Sequence, residues 1–399
     1  MLSASTRRLT AACAALGALM ALPVGLAPSA AAADVQSQQW YLSAMKADEM
    51  WKTSTGKGVK VAVIDTGVNP STPSLQGQVL ADEVPKSLAY GATQDISGHG
   101  TTMAEEIAGT GRGGGIKGLA PGAKIVPYRV SLDGMSLAQE NKAPDVGKVI
   151  KAVADSDVKI INMSFGDDIS YDDEQAAIKY AASKGKLMFA GTGNDAETTN
   201  KKMYPASYPY VIGVSAVDKT ATVGKFSNHG FSVDLAAPGV NLPAWCNAKF
   251  QSYCSHVNGT SDATAIASAS AALIWSAHPD WTANQVLSSL IDTASRQWPK
   301  DTPSSYLGYG VIRPRKVLEN SNFNPGSANV DPLAVEDGVA KPKTSPSAPA
   351  KSTPGGATSA ADASSKSSGN NLTWVVVGAA ALVVIGGAAF AVIRSRRRA

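Results

Sequence analysis

The residues whose chemistry is easiest to interpret lie in Asn258–Trp275, where Asn-Gly-Thr-Ser precedes a run of small apolar residues without proline. This pattern predicts a loop that enters a buried helix. Ser261 would begin that helix, where unpaired backbone N–H groups and the helix dipole favour negative charge. A serine there could be a nucleophile whose oxyanion is held by its own N–H group. Alternatively, Ser261 only caps a core helix, because serine is a preferred N-cap residue.

A serine nucleophile needs a base that removes its proton and a carboxylate that orients the base. His99 lies in Gly-His-Gly-Thr at a predicted loop-to-helix junction, where small neighbours leave the imidazole open. Asp65 follows a buried strand, a position that can hold a carboxylate rigidly against an imidazole. The remaining histidines are predicted to be structural or merely exposed: His229, His256 and His278.

These side chains would be positioned by strands and helices that alternate along the chain. Apolar and β-branched runs predict strands at Val59–Ile64, Lys124–Val130, Val158–Ser164, Leu187–Ala190, Tyr210–Val217 and Ser232–Ala236. Helices are predicted from the histidine motif to about Thr110, and at Asp145–Asp155, Tyr171–Lys184 and Thr282–Ser295. Such alternation indicates an α/β protein with a mostly parallel sheet and helices on both faces. Because ligands bind at the carboxyl ends of parallel strands, Asp65 stands where a site would form.

The order Asp65, His99, Ser261 is the order of the catalytic triad in subtilisin, the standard example of this arrangement. The motifs around these residues, VAVIDTGVNP, SGHGTTMA and NGTSDATA, resemble the active-site signatures of subtilisin-like serine proteases. The segments INMSFG, FAGTGN and FSNHGFSVDLAAPG also match the family. The resemblance covers about Trp40 to Asn320 and implies a subtilisin-like three-layer α/β fold.

The resemblance implies a role for each residue of the site. Ser261 would be the nucleophile, His99 the general base and then acid, and Asp65 the group that orients His99. The Asn194 side chain and the Ser261 N–H would form the oxyanion hole. Residues that follow two of the strands would bind the substrate: Ser164, Phe165, Gly166, Gly191, Thr192 and Gly193. No catalytic metal or organic cofactor is implied. Family members often bind structural calcium, but no ligand cluster in the sequence indicates a metal site.

The sequence departs from the family's pattern at three positions near the triad. Asp262 follows the nucleophile where relatives usually carry an apolar residue, Ala265 stands where proline is common, and Glu105 replaces a small residue. We predict that the Asp262 carboxylate borders the departing amine, attracts a basic P1′ residue and favours the protonated form of His99. Alternatively, Asp262 turns outward as a helix-start residue.

Both ends of the chain carry export or membrane signals. Two early arginines, an apolar stretch and a row of alanines predict a signal peptide over 1–33, with a permanent anchor as the alternative. Trp374–Ile393 carries no charge and would be about 30 Å long as a helix, enough to cross a bilayer. We therefore predict a transmembrane helix over 372–393, with a buried core helix as the alternative. The basic tail 394–399 would lie in the cytoplasm and the catalytic domain outside the cell membrane.

The chain between these signals divides into three parts. An N-terminal extension at 34–58 is too short for a folded inhibitory propeptide and is predicted to form one helix packed on the protease domain, 59–321. Residues 322–371 are rich in Pro, Ser, Ala, Gly and Lys, which predicts a disordered linker rather than a further domain. Cys246 and Cys254 lie in one polar loop. In an oxidising compartment we expect a disulfide between them, with two free thiols as the alternative.

The whole layout resembles that of mycosins, the membrane-anchored proteases associated with bacterial type VII secretion. It implies protein or peptide substrates, attachment to the membrane and association with a type VII secretion membrane complex. The net charge of +4 is slight and gives no indication of nucleic acid as a partner. Two other roles are compatible with the sequence. One is a structural scaffold of a secretion complex with little or no proteolytic role, and the other is a surface receptor or adhesin.

Overall fold

The computed structural model describes residues 35–132 and 135–340 of the 399-residue chain. The predicted signal peptide, most of the predicted linker, the predicted transmembrane helix and the basic tail lie outside the described residues. Within the described part of the chain, no helix is both long enough and apolar enough to span a bilayer.

A parallel sheet forms the centre of the domain. Its strands are β1 Lys60–Asp65, β2 Lys124–Arg129, β3 Ile160–Met163, β4 Leu187–Gly191, β5 Val211–Val217 and β6 Leu235–Pro238. They are ordered β2-β1-β3-β4-β5-β6, and every neighbouring pair is parallel. The strand residues are almost all buried, because helices cover both faces of the sheet. The predicted parallel sheet is confirmed, and β1 lies in its interior.

Helices form a layer on each face of the sheet. Those in the described residues are α1 Trp40–Ala44, α2 Ala47–Trp51, α3 His99–Ala108, α4 Leu137–Glu140, α5 Val146–Ala154, α6 Asp172–Ser183, α7 Thr260–Ala277, α8 Ala283–Thr293 and α9 Pro314–Leu318. Val61 and Val63 belong to the hydrophobic core that the sheet forms with α3, α7 and α8. Ala62 and Ile64 belong to the core that it forms with α5 and α6. Successive side chains of β1 thus enter opposite layers, as the two-residue period of a strand requires.

α7 carries Ser261 and is enclosed by the sheet and the neighbouring helices. Almost every residue from Thr260 to Trp275 is buried. The segment is rich in alanine and apolar on all sides, which suits a helix without a solvent-facing side. The predicted buried helix is confirmed.

The N-terminal extension forms the two short helices α1 and α2 instead of the single predicted helix. Lys46 separates them in a left-handed backbone conformation with φ 57°, which interrupts the helical geometry. The Trp40 Nε1–H donates to the Val240 carbonyl over 3.0 Å, and the Trp51 Nε1–H donates to the Leu119 carbonyl over 2.8 Å. These contacts hold the extension against the domain, as predicted.

An antiparallel hairpin of β7 Leu242–Trp245 and β8 Tyr253–Val257 precedes α7. A disulfide between Cys246 and Cys254 joins its strands, so the predicted disulfide is confirmed. The hairpin itself was not predicted. β8 is largely exposed, and a strand without a buried face lacks the alternation of apolar and polar residues that identifies strands in sequence.

Contacts with the domain continue past residue 321, its predicted end. Leu333 is 1% exposed, and Asp337 Oδ2 accepts a hydrogen bond from the Tyr210 N–H over 2.8 Å. Residues 322–340 therefore pack on the domain, and the predicted boundary lies too early. The boundary was predicted from average composition, which is that of a linker in this segment. One or two side chains that pack on the domain are enough to hold such a segment in place, and an average does not detect them.

Candidate active site

Asp65 is the last residue of β1 and is fully buried. Its Oδ1 accepts a hydrogen bond from the Thr66 N–H over 2.7 Å and lies 2.8 Å from Nδ1 of His99. A carboxylate in this place keeps the imidazole proton on Nδ1, which leaves Nε2 able to accept another proton. The structure thus brings together the carboxylate and the imidazole that were predicted to form a pair.

His99 is the first residue of α3, and a glycine stands on either side of it. Gly98 has φ +94°, a left-handed conformation that other residues rarely adopt. A Cβ atom on Gly100 would collide with the carbonyl oxygen of Gly67. The two glycines therefore allow the start of α3 to approach the end of β1, which holds the imidazole against Asp65.

Asp95 organises the loop before His99 and was not recognised in the sequence. Its buried carboxylate accepts hydrogen bonds from the N–H groups of Ser97, Gly98 and Thr101, over 3.0, 2.9 and 2.8 Å. It thereby satisfies N–H groups that the start of α3 would otherwise leave unpaired. The available signal was an aspartate followed closely by serine and glycine just before a helix, a composition typical of an Asx turn.

The electrostatic surroundings raise the pKa of His99 to about 9. Burial lowers this pKa, but the charge of Asp65, its hydrogen bond to the imidazole and the charges of Asp262 and Asp95 outweigh burial. The side chain is still 39% exposed, so a substrate can reach it. Because only neutral imidazole accepts a proton, general base catalysis by His99 would increase as the pH rises towards this pKa.

Ser261 is the second residue of α7, so its N–H lies in the first helical turn and has no acceptor within the helix. Its Oγ donates to the Ser164 carbonyl over 3.0 Å, and the Ser164 Oγ donates to the Ser261 carbonyl over 2.9 Å. This pair of bonds fixes the start of α7 to the segment after β3. For the predicted proton transfer to Nε2 of His99, the Ser261 hydroxyl would have to rotate away from Ser164. Catalytic contacts commonly tighten in this way when substrate binds.

Two further buried groups strengthen the junction between β3 and α7. The Asn162 Nδ2 donates to the Ser164 Oγ over 3.0 Å, and the Ser268 Oγ donates to the Asn162 Oδ1 over 3.0 Å. Neither Asn162 nor Ser268 was identified from the sequence. Their contact joins segments far apart in the chain, so no local pattern indicated it.

Asn194 follows β4, and its side chain reaches the start of α7. Its Oδ1 accepts hydrogen bonds from the Thr260 N–H over 2.9 Å and from the Thr260 Oγ1 over 3.0 Å. Because both contacts use the oxygen, the amide nitrogen is left for the cleft, which Asn194 lines together with His99 and Ser164. The Asn194 nitrogen is thus free to act as the oxyanion donor that was predicted for it.

The predicted substrate-binding residues fall into two groups. Residues 164–166 line the cleft, whereas residues 191–193 are not among its described lining. The Thr192 side chain is buried, and the Gly193 N–H donates to the Thr260 Oγ1 over 3.3 Å. The structure therefore places residues 164–166 in the wall of the cleft and the 191–193 segment beside the start of α7. The role of both groups in substrate binding stays a prediction.

Replacing Asn194 with alanine is expected to lower kcat by roughly 10²–10³, a figure that derives from the oxyanion-hole asparagine of subtilisin itself. The amide nitrogen would contact the oxygen mainly after charge develops on it, so KM should change little. Steady-state kinetics on a peptide amide measure both constants. A loss confined to KM would show that Asn194 binds the ground state of the substrate instead.

The cleft has a volume of about 1080 Å³ and a predominantly acidic lining. Its acidic residues are Glu140, Asp145, Asp167, Asp168, Asp173, Glu174 and Asp195. Lys201, the one lysine or arginine in its described lining, is paired with Asp168. Burial, together with the charges of Asp173 and Asp167, raises the pKa of Glu174 to about 7. The negative charge of the cleft therefore increases as the pH passes through neutrality.

Glu105 connects α3 with the disulfide hairpin. Its Oε1 accepts a hydrogen bond from the Thr72 Oγ1 over 2.7 Å, and its Oε2 accepts one from the Tyr253 hydroxyl over 2.8 Å. Burial raises the pKa of Glu105 to about 7, although these hydrogen bonds act in the opposite direction. A carboxyl group replaces the family's small residue here because the hairpin and the neighbouring loop supply donors for it.

Within the described residues, no group of three or more His, Cys, Asp or Glu side chains is arranged to hold a metal ion.

Asp262 takes neither of the orientations predicted for it. Its side chain is 3% exposed and turns inward towards Glu106 on α3. It cannot reach a P1′ side chain, so the predicted recognition of a basic leaving group is wrong. The predicted influence on the imidazole agrees with the structure, because the charge of Asp262 contributes to the raised pKa of His99. Ala265, the other departure on α7, is fully buried.

Comparisons with known proteins define the class to which this fold and site belong. The model of the Subtilase family, Peptidase_S8, matches residues 56–310. Subtilisin E from Bacillus subtilis (strain 168) is 34% identical over 281 residues, which make up 69% of this chain and 70% of that protein. The chain therefore belongs to the subtilase family and is a subtilisin-like serine endopeptidase.

The solved structures to which this chain is similar include those of mycosins. The MycP3 protease from the type VII (ESX-3) secretion system matches with 29% identity and a TM-score of 0.58, over 70% of this chain and 87% of that chain. MycP1 from Mycobacterium smegmatis matches with 25% identity and a TM-score of 0.57, over 73% of this chain and 86% of that chain. The predicted resemblance to subtilisin-like proteases of the mycosin type is confirmed.

Proposed function

We propose that this chain is a membrane-anchored, extracytoplasmic serine endopeptidase of the mycosin type, in which Ser261, His99 and Asp65 form the catalytic triad. The observation that carries the assignment is the 2.8 Å contact between Asp65 Oδ1 and His99 Nδ1. It lies at the cleft that Asn194 also lines, and Asn194 is bonded to the residue before Ser261.

The reaction follows from the properties of these groups. Ser261 Oγ rotates from the Ser164 carbonyl, attacks the scissile carbonyl and transfers its proton to Nε2 of His99. The Asn194 amide and the Ser261 N–H donate to the resulting oxyanion. His99 then gives its proton to the departing amine, and a water molecule, activated by the same imidazole, hydrolyses the acyl enzyme. Asp65 keeps the imidazole in the required tautomer and stabilises its charged form throughout.

An extended substrate would pair with the backbone of residues 164–166, which line the cleft after β3. Main-chain hydrogen bonds of this kind are independent of side-chain identity, so sequence preference must come from groups that border the paired strand. The acidic side chains of the cleft are such groups.

We predict a preference for basic residues on the acyl side of the scissile bond, next to Asp167, Asp173 and Glu174. No lysine or arginine in the described residues pairs with these three carboxyl groups. A peptide with arginine there should show a kcat/KM about fivefold higher than its alanine counterpart, because one partly solvated ion pair contributes roughly 1 kcal/mol. Aspartate should act in the opposite direction.

Matched peptides with arginine, alanine or aspartate at each acyl-side position test this preference at about pH 8, where Glu174 is mostly ionised. Glu174→Gln should reduce the ratio of the arginine to the aspartate peptide, and added salt should reduce it further. Asp155→Asn, at the end of α5 and bonded to Tyr180, is the control that should leave the ratio unchanged. A ratio insensitive to both salt and Glu174→Gln would refute the role of the acidic lining.

Association with type VII secretion is supported by the similarity to the solved structures of MycP3 from the ESX-3 system and MycP1 from the ESX-1 system, both type VII secretion systems. Membrane anchoring is supported by the signal peptide and the C-terminal span predicted from the sequence. The natural substrates would then be exported proteins cut outside the cell membrane.

Terminal proteomics of secreted proteins from wild-type and Ser261→Ala cells tests the proposed function. New protein termini that require Ser261 should be present only in the wild type, and among proteins exported by type VII secretion. Identical termini in both strains, together with loss of a secretion complex when the whole chain is deleted, would identify a scaffold instead.

A protease added to intact cells should release the catalytic domain. Protection until the membrane is permeabilised would contradict the proposed orientation.

A further inference from the structure

A pair of buried carboxyl groups connects the helix of His99 with the helix of Ser261. Glu106 lies in the last turn of α3 and is 1% exposed, and Asp262 lies in the first turn of α7 and is 3% exposed. The two side chains are within hydrogen-bond reach of each other. Neither belongs to the proposed triad or oxyanion hole, so the reaction itself does not account for them.

The surroundings of the pair offer little compensation for negative charge. Both oxygens of Glu106 and Oδ1 of Asp262 accept no hydrogen bond from any donor in the described part of the chain. No lysine or arginine in that part forms an ion pair with either group. The titratable groups that face the pair are Tyr41 from α1, Glu105 from α3 and the imidazole of His99. Of these, only His99 can carry a positive charge.

Two adjacent carboxylates cannot both stay ionised in such a place, because each can accept a hydrogen bond and neither can donate one. A single proton converts the contact into a strong hydrogen bond between an acid and a carboxylate. The helix dipoles indicate where the charge remains. Glu106 is near the negative C-terminal end of α3, whereas Asp262 is near the positive N-terminal end of α7. The proton therefore belongs on Glu106.

We propose that Glu106 and Asp262 are a proton-sharing positioning pair, in which neutral Glu106 donates to ionised Asp262 and joins the two catalytic helices. The charge held on Asp262 stabilises the imidazolium form of His99, so the pair influences the pH range of catalysis without touching the substrate.

The direction of the pKa values supports this division of the proton. Burial and the charge of Asp262 raise the pKa of Glu106 well above its ordinary value. Burial raises the pKa of Asp262 only to about 6, since the charge of His99 acts in the opposite direction. When the pair holds one proton, Glu106 is therefore the neutral partner and Asp262 the charged one.

The first test is the pH dependence of kcat/KM, measured with the full chain in detergent on a fluorogenic peptide. Asp262→Asn should move the acidic limb to lower pH by about one unit, because one neighbouring anion raises an imidazole pKa by roughly that amount. Glu106→Leu should move the limb in the same direction, since Asp262 must then take up a proton to stay buried. Glu106→Gln still offers a donor to Asp262 and should restore the wild-type limb. An unmoved limb in Asp262→Asn, or equal shifts in Glu106→Gln and Asp262→Asn, would overturn the proposal.

The first test rests on the proposed function, since it measures peptidase activity. The second test is therefore chosen to need no such activity. The infrared difference between wild type and Glu106→Gln at about pH 9 should contain the carbonyl band of one protonated carboxylic acid. Glu105→Gln is the matched control from the same helix. The pKa of Glu105 is about 7, so this residue is ionised there and its replacement should leave the band in place. Absence of the band from the wild type would overturn the proposal, even for an active enzyme. A wild type that shows the band but cleaves no peptide would contradict the proposed function alone.

Discussion

Replacing Ser261 with alanine is expected to lower kcat by roughly 10⁶, the loss measured when the nucleophile of subtilisin, a member of the same family, is removed. The substitution deletes the only atom proposed to form the acyl enzyme. It also removes the hydrogen bond to the Ser164 carbonyl, but the Ser164 hydroxyl can still donate to the carbonyl of residue 261. The start of α7 should therefore stay in place and the protein should fold normally.

Turnover of a peptide amide and covalent labelling by a fluorophosphonate measure this loss. Ser270→Ala is the matched control, because Ser270 lies on the same helix, is fully buried and donates to the Ile266 carbonyl within the helix. Its replacement should change neither turnover nor labelling. Equal labelling of Ser261→Ala and the wild type would exclude Ser261 as the nucleophile.

The parts of the fold that could be predicted are those that local periodicity and residue type determine. The strands of the sheet are buried on both faces, so most of their residues are apolar and the strands are short. The helix α7 is an alanine-rich segment without charges beyond its first turn. Asp65, His99 and Ser261 each stand at the end of a strand or the start of a helix. The alternation of elements brings such positions to the same edge of a parallel sheet, so the site could be located before any geometry was known.

The rest depends on contacts between distant segments. Glu106 is in a predicted helix and Asp262 in another, but nothing local shows that both turn inward and meet. Asp95 is recognisable as a cap only once the loop before α3 is seen. Lys46 interrupts the N-terminal helix through a single left-handed residue, and Leu333 anchors a segment of linker-like composition. In each case one side chain or one dihedral angle decides the structure, and an average over a window of sequence does not detect it.

Replacing Asp65 with asparagine is expected to lower kcat by about 10⁴, as in the matching substitution of another Ser-His-Asp protease. Oδ1 of Asp65 faces both the Thr66 N–H and Nδ1 of His99. An asparagine oxygen could take that place only by putting an NH2 group at the position of Oδ2, which is buried and accepts no hydrogen bond within the described residues. If the amide turns round, its NH2 group faces Nδ1 and forces the imidazole proton onto Nε2. Nε2 then cannot accept the proton of Ser261.

The pH profile of this variant separates the loss of a charge from a loss of structure. Burial by itself lowers the pKa of His99, and the charge of Asp65 is the strongest influence that raises it. Without that charge the acidic limb of kcat/KM should move to lower pH while the maximal rate falls. Asp157→Asn is the control, because it neutralises a carboxylate paired with Lys60 at the opposite end of β1, and it should change neither quantity. A kcat that falls less than about tenfold with an unmoved limb would show that Asp65 does not orient the imidazole.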